Sequence, residues 1–143
     1  MEIISKTTQD TKNLAGSVAK RIKPGDVIAL YGDLGTGKTT FTRHLVEQLG
    51  FGSRVQSPTF VIARKYSTEN QPIHTIHHID LYRTQSVAEI DDLGLEEMLG
   101  EPGSVTVIEW PEMVEKLLPE KTVKILFEHQ EDDTRKIYVQ NID

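Results

Sequence analysis

An apolar run, Val27-Ile28-Ala29-Leu30-Tyr31, leads directly into Gly32-Asp33-Leu34-Gly35-Thr36-Gly37-Lys38-Thr39, a full match to the pattern Gly-x-x-x-x-Gly-Lys-Ser/Thr. This stretch constrains the fold more than any other, because it needs a strand before it and a helix after it. Its glycines let the backbone take positive φ and come close to a ligand, so that successive N–H groups converge on an anion. Gly32, Gly35, Thr36, Gly37, Lys38, Thr39 and Thr40 then form a phosphate cradle at a helix N-terminus. Lys38 is expected to reach the β- and γ-phosphates, and the Thr39 hydroxyl to ligate a magnesium ion bridging them. The ligand expected from the motif is a nucleoside triphosphate. The rival reading, a glycine-rich turn that binds nothing, is disfavoured by the strand before the loop and the amphipathic run after it.

The 143-residue length suits a single domain, 1–143, able to bury roughly two-thirds of its unfolded surface. The net charge of −6 argues against a non-specific grip on nucleic acid or an anionic membrane, so any RNA contact needs a local patch or a partner. With no cysteine, disulfides, thiolate catalysis and Cys-ligated metals are excluded. Met1 to Lys6 lacks the apolar core of a signal peptide, and no run reaches membrane-spanning length, so a cytoplasmic protein is expected.

Along the chain, Glu2 to Lys6 suits a short edge strand, and Thr7 or Thr8 suits the cap of a helix carrying Leu14, Val18 and Ile22 on one face up to Pro24-Gly25. The helix opening at Lys38 turns Phe41, Leu45 and Leu49 inward and stops at Gly50 and Gly52. Ser57-Pro58-Thr59-Phe60 leads into an extended run to Tyr66, Asn70-Gln71-Pro72 turns back, and a return strand covers roughly Ile73 to Leu81. Ser86-Val87-Ala88-Glu89 reads as a capping box for a short helix to about Leu93, with a second helical turn at Leu95 to Leu99. Val105 to Ile108 is a buried-strand run, and Pro111 starts a helix through Leu118. Val123, Ile125 and Phe127, then Ile137 and Val139, alternate in two strands around a polar turn at Gln130 to Arg135, giving a terminal antiparallel hairpin. The fold class is therefore α/β, built on a strand, phosphate loop and helix.

Two acids fall at strand ends. Glu109 follows the run Val105 to Ile108 and is the better candidate for the acid that serves the magnesium, or for a base acting on water. Asp80 faces the cradle only if its strand runs parallel to 27–31. Spacing does not say which acid holds metal and which positions water. Thr59 lies where nucleotide switches keep a γ-phosphate-sensing hydroxyl, although a loop threonine is more commonly only a loop residue. Thr11 sits in a helix first turn, where a capping or solvated threonine is commoner than one touching a base. His74, His77 and His78 suggest zinc, yet surface histidines on a strand are the preferred reading, since no cysteine completes a ligand set. Trp110, the single tryptophan, is read as core packing.

Gly-Asp-Leu-Gly-Thr-Gly-Lys-Thr-Thr from Gly32, Ser57-Pro58-Thr59-Phe60, His78-Ile79-Asp80-Leu81-Tyr82-Arg83 and Ile108-Glu109-Trp110-Pro111-Glu112, in that order, resemble the bacterial TsaE family, formerly YjeE. The resemblance implies a phosphate-loop mixed sheet flanked by helices, and a small ATPase needed for threonylcarbamoylation of adenosine 37 in tRNAs that read codons beginning with A. It implies work with TsaD and TsaB, tRNA being met through that complex, with ATP hydrolysis resetting the complex. Carried onto this chain, Lys38 and Thr39 bind phosphate and Mg2+, Glu109 is the acidic magnesium-site residue, Asp80 assists hydrolysis and Thr59 is the switch threonine. Thr11 matches a threonine near the nucleotide, and the turn Asp132 to Arg135, with Asp133 and Arg135, is implied to close over the base.

The main rival enzyme is a small-molecule kinase, which needs an arginine-rich substrate lid; the six arginines here are scattered. A guanine nucleotide is disfavoured by the lack of an Asn-Lys-x-Asp tetrad. A nucleotide-dependent binding module without hydrolysis is the non-enzyme alternative, and the two acids discriminate it.

Overall fold

A computed structural model describes residues 2–33, 35–51, 63–69, 72–82, 88, 90, 93–132 and 134–142. Ser57 to Phe60, including Thr59, lie outside the described residues, as do Gly52, Ser86, Glu89 and Asp133. The strands are β1 (Glu2–Ser5), β2 (Val27–Tyr31), β3 (Ala63–Ser67), β4 (Thr75–Asp80), β5 (Ser104–Glu109), β6 (Val123–His129) and β7 (Arg135–Gln140). Helices α1 (Thr8–Ala19), α2 (Lys38–Gln48) and α3 (Leu95–Leu99) join them, with a 3-10 helix over Pro111–Leu117.

The seven strands make one sheet in the order β1-β7-β6-β2-β5-β4-β3. β6, β2, β5 and β4 run parallel, while β3, β7 and β1 pair antiparallel at the margins. The parallel centre follows from its composition: β2 and the Ser104 to Ile108 stretch of β5 are unbroken apolar or small-residue runs, as strands covered on both faces must be. The period of two splits them. Ile28 and Leu30, with Val105, Val107, Ile125, Phe127, Ile137 and Val139, share a core with Leu14 and Val18 of α1 and Phe41 and Leu45 of α2. Val27 and Ile108 face the other way, onto Leu81, Ile90, Leu95 and Val114.

Helix α1 begins at a capping box in which the Thr7 hydroxyl accepts from Asp10 N and the Asp10 carboxylate accepts from Thr7 N. It ends at Ala19, short of the Pro24-Gly25 break, yet Ile22 beyond its end is still buried. Helix α2 stops as expected near Gly50, which has φ +86°. The segment opened by Pro111 is a 3-10 rather than an α-helix, its last turn closed by Leu118 N donating to Glu115 O.

Strand alternation in β6 gives a direct check. Phe127 is buried edge-to-face on Phe41 at a ring separation of 5.9 Å, whereas its neighbour Leu126 points outward and is 38% exposed. Phe127→Ala is expected to cost about 3–5 kcal/mol and Leu126→Ala no more than about 1 kcal/mol. Denaturant midpoints at constant m-value measure both, and equal losses would contradict the assigned faces.

Candidate functional site

The glycine loop leaves the carboxyl end of β2 and enters α2 without interruption. Gly32 has φ +136°, and a Cβ placed there would meet the Phe127 carbonyl oxygen of β6 at 2.5 Å, so only glycine fits. Gly37 occupies the N-cap of α2 at φ +105° and offers no side-chain cap, which leaves the first N–H groups of the helix directed outward. The Thr36 hydroxyl donates to Asp33 O at 2.6 Å and stiffens the loop from within. Thr40 lies in the first turn of α2, half-buried.

Lys38 is almost wholly buried, although its ammonium is charged chemistry. Its Nζ donates to the Gly32 carbonyl and lies 3.8 Å above the Trp110 ring, a cation–π contact. Burial pushes its pKa down from the usual lysine value, and the carboxylates of Glu109, Asp80, Glu112 and Asp33 offset part of that. Trp110 is half-buried and has φ +58°, a left-handed conformation uncommon for a bulky residue. Its ring touches both Lys38 and Tyr82, the latter at 4.9 Å. The core role expected for Trp110 therefore holds only in part: it packs on the second apolar cluster and also walls the cradle.

β5 lies beside β2 in parallel register, pairing Glu109 with Leu30, and β4 lies beside β5, pairing Asp80 with Glu109. The condition set on Asp80 is thus met, since β4 runs parallel to β2. The Glu109 side chain is buried, with Oε1 3.5 Å from the Thr39 hydroxyl and Oε2 2.6 Å from His78 Nε2. The Asp80 carboxylate accepts from Tyr82 N at 2.9 Å. Burial first, and the adjacent Glu109 charge, push the Asp80 carboxyl above the usual aspartate range, while the Tyr82 N–H, His78 and Lys38 pull the other way.

On the opposite flank, Arg135 at the start of β7 donates from Nη2 to Gly35 O at 3.4 Å, and its side chain lies 3.5 Å from the position of a Cβ on Gly37. Its Nε is buried with no hydrogen-bond partner among the described residues. Ser5, the register partner of Arg135, shares a 3.0 Å hydroxyl contact with Thr11. Thr11 is buried rather than solvated, and is linked through Ser5 to the strand that carries Arg135. Asp133 and Thr59 fall outside the described residues.

The surface reading of the histidines is overturned for two of the three. β4 is an interior strand between β3 and β5, so His77 and His78 are buried, His77 on Glu101 and His78 on Glu109. His74 is half-buried against Thr75. No three His, Cys, Asp or Glu side chains converge as a metal-holding group among the described residues. A magnesium ion does not require one, because it takes one or two protein oxygens and completes its shell with phosphate and water. The paired oxygens of Thr39 and Glu109 fit that demand, and the uncapped amides at the start of α2 fit a polyphosphate. Among the described residues no helix is long and apolar enough to cross a membrane.

Strand, glycine loop and helix, with acids at the two neighbouring parallel strand ends, define a phosphate-loop α/β protein. Comparison with known proteins narrows the class. The family described as "Threonylcarbamoyl adenosine biosynthesis protein TsaE" matches residues 5–137, and the chain belongs to this TsaE family. Similar proteins named "tRNA threonylcarbamoyladenosine biosynthesis protein TsaE" occur in Rickettsia bellii, 39% identical over 98% of this chain and 94% of that one, and in Bacillus subtilis, 41% identical over 90% and 78%. The crystal structure of Bacillus subtilis YdiB matches with a TM-score of 0.77 at 34% identity, covering 96% of this chain and 82% of that chain.

The raised Asp80 carboxyl has a measurable consequence. Its ionisation opposes folding, so the stability it allows is full below the ordinary value of 3.8 and is lost as pH rises through the raised folded value. Asp80→Asn, which keeps an acceptor for Tyr82 N, is expected to raise the melting temperature near neutral pH and to lose that advantage at about pH 3. An advantage independent of pH would contradict the assigned cause.

Proposed function

We propose that this protein binds ATP with Mg2+ and hydrolyses it in support of threonylcarbamoylation of adenosine 37 in tRNAs that read A-starting codons. Turnover is coupled to a complex of TsaD and TsaB in the cytoplasm, and tRNA is reached through that complex. The observation that carries the reading is the meeting, at the carboxyl ends of β2 and β5, of an uncapped glycine loop, Lys38, the Thr39 hydroxyl and the Glu109 carboxylate. The names of the relatives supply the pathway.

In this reading the amides from Gly32 to Thr39 wrap the phosphates, and Lys38 moves from the Gly32 carbonyl onto the terminal ones. Thr39 and Glu109 would hold the magnesium ion, which would supply charge neutralisation for the transferred phosphoryl group. Asp80, whose burial makes its carboxylate hold a proton more readily, positions and deprotonates the attacking water. Arg135, Asp133 and Thr11 belong to the base side of the nucleotide, and Thr59 senses the γ-phosphate.

Phosphate release, measured for the protein alone and with TsaD, TsaB and tRNA, tests the reading. Release stimulated by the partners supports it, and phosphate transfer to a nucleoside or sugar instead of water supports a kinase. Glu109→Ala is expected to keep nucleotide binding and to lose about two orders of magnitude in turnover. Equal turnover would rule out its role. Lys38→Ala is expected to lose most triphosphate affinity. Because Trp110 is the single tryptophan and Lys38 lies on its ring, its emission should change on ATP binding; unchanged emission at saturating ATP would contradict the movement of Lys38.

A further inference from the structure

Among the described residues His78 makes no hydrogen bond to the glycine loop or to Lys38, and meets the nucleotide site through its hydrogen bond to Glu109. His78 pairs with Val107 across β4 and β5, two residues before Glu109, so the two side chains share a sheet face and the imidazole reaches forward along it. Nε2 meets Glu109 Oε2 at 2.6 Å, and both residues are shut from water, at 0% and 3% exposure. A carboxylate only accepts, which assigns the proton to Nε2. Among the described residues Nδ1 has no partner, so the ring's one hydrogen bond there is the one to Glu109. The two carboxylate oxygens are thereby differentiated: Oε2 is fixed by His78, and Oε1 is turned toward the Thr39 hydroxyl.

We propose that His78 is a positioning residue of the nucleotide site, locking the Glu109 carboxylate so that Oε1 stays presented beside Thr39 to the magnesium ion. The inference rests on the magnesium role given to Glu109 above. A partner of this kind orients a ligand without touching the metal, and its loss typically costs 10–100-fold in metal affinity. A merely structural pair would lower stability and leave the magnesium requirement of the folded protein unchanged.

Three substitutions separate these roles. In His78→Gln the side-chain amide lies near the position of Nε2, in His78→Asn it lies near that of Nδ1, and His78→Leu has no donor. The readout is the magnesium concentration at half-saturation of ATP binding, followed by calorimetry, beside ATP binding measured with the metal chelated. His78→Leu and His78→Asn are expected to raise the magnesium requirement about 10- to 100-fold, with metal-free ATP affinity within about twofold of wild type. His78→Gln is expected to stay near wild type. Should the Leu variant not fold, the contrast between Gln and Asn carries the same information. Identical magnesium requirements in the folded variants would overturn the role of His78 alone. ATP binding by the wild type with no dependence on magnesium would overturn it together with the magnesium role of Glu109.

Discussion

Leu30, Glu109 and Asp80 stand level with one another because β2, β5 and β4 pair in parallel at a single register. Every other property of the site depends on that alignment. It sets the acid of β5 beside the first turn of α2, close enough for Thr39 and Glu109 to share a contact, and it brings the acid of β4 to the same end of the strands. A slip of β5 by one residue would turn Glu109 to the opposite face, toward Leu95 and Val114, and leave Ile108 or Trp110 in its place. The apolar alternation of Val105 and Val107 against α1 and α2 prevents that slip, so the packing of the core and the geometry of the site are one constraint.

Charge is handled residue by residue. Taking an ammonium and carboxylates out of water is costly unless each finds a partner. Lys38 has the Gly32 carbonyl and the Trp110 face, Glu109 has His78, and Asp80 has the Tyr82 amide. For Asp80 that amide does not offset burial, which drives its carboxyl upward. The 3-10 helix takes part through Glu115, which accepts from the Tyr31 hydroxyl at 2.9 Å and ties the segment after Trp110 to the end of β2. Burial and that acceptor together raise the Tyr31 pKa well above the usual tyrosine value.

The sheet and the loop were legible because their signals are local. The run Val27 to Tyr31 coincides with β2, the terminal hairpin falls where Phe127 and Ile137 alternate, and the glycine pattern marks the loop. The histidines were misread because burial is set by neighbours. Alternation within β4 does not reveal that β3 and β5 enclose it, nor that Glu109 lies within reach of His78. Trp110 was half read for a similar reason. Its left-handed backbone, which turns the ring against Lys38, depends on the junction between β5 and the 3-10 helix and has no composition signal. A pattern-based clue did exist for His78, since it stands two residues before Asp80 on the same face, as Val107 stands before Glu109.

In the proposed function the glycine loop after β2 grips a polyphosphate with the help of Thr39 and Glu109. The most direct measurement is a calorimetric titration of the wild-type protein with ATP and magnesium. A saturable heat with a stoichiometry of about one is expected; no heat of association, with or without TsaD and TsaB, would overturn the proposed grip on ATP.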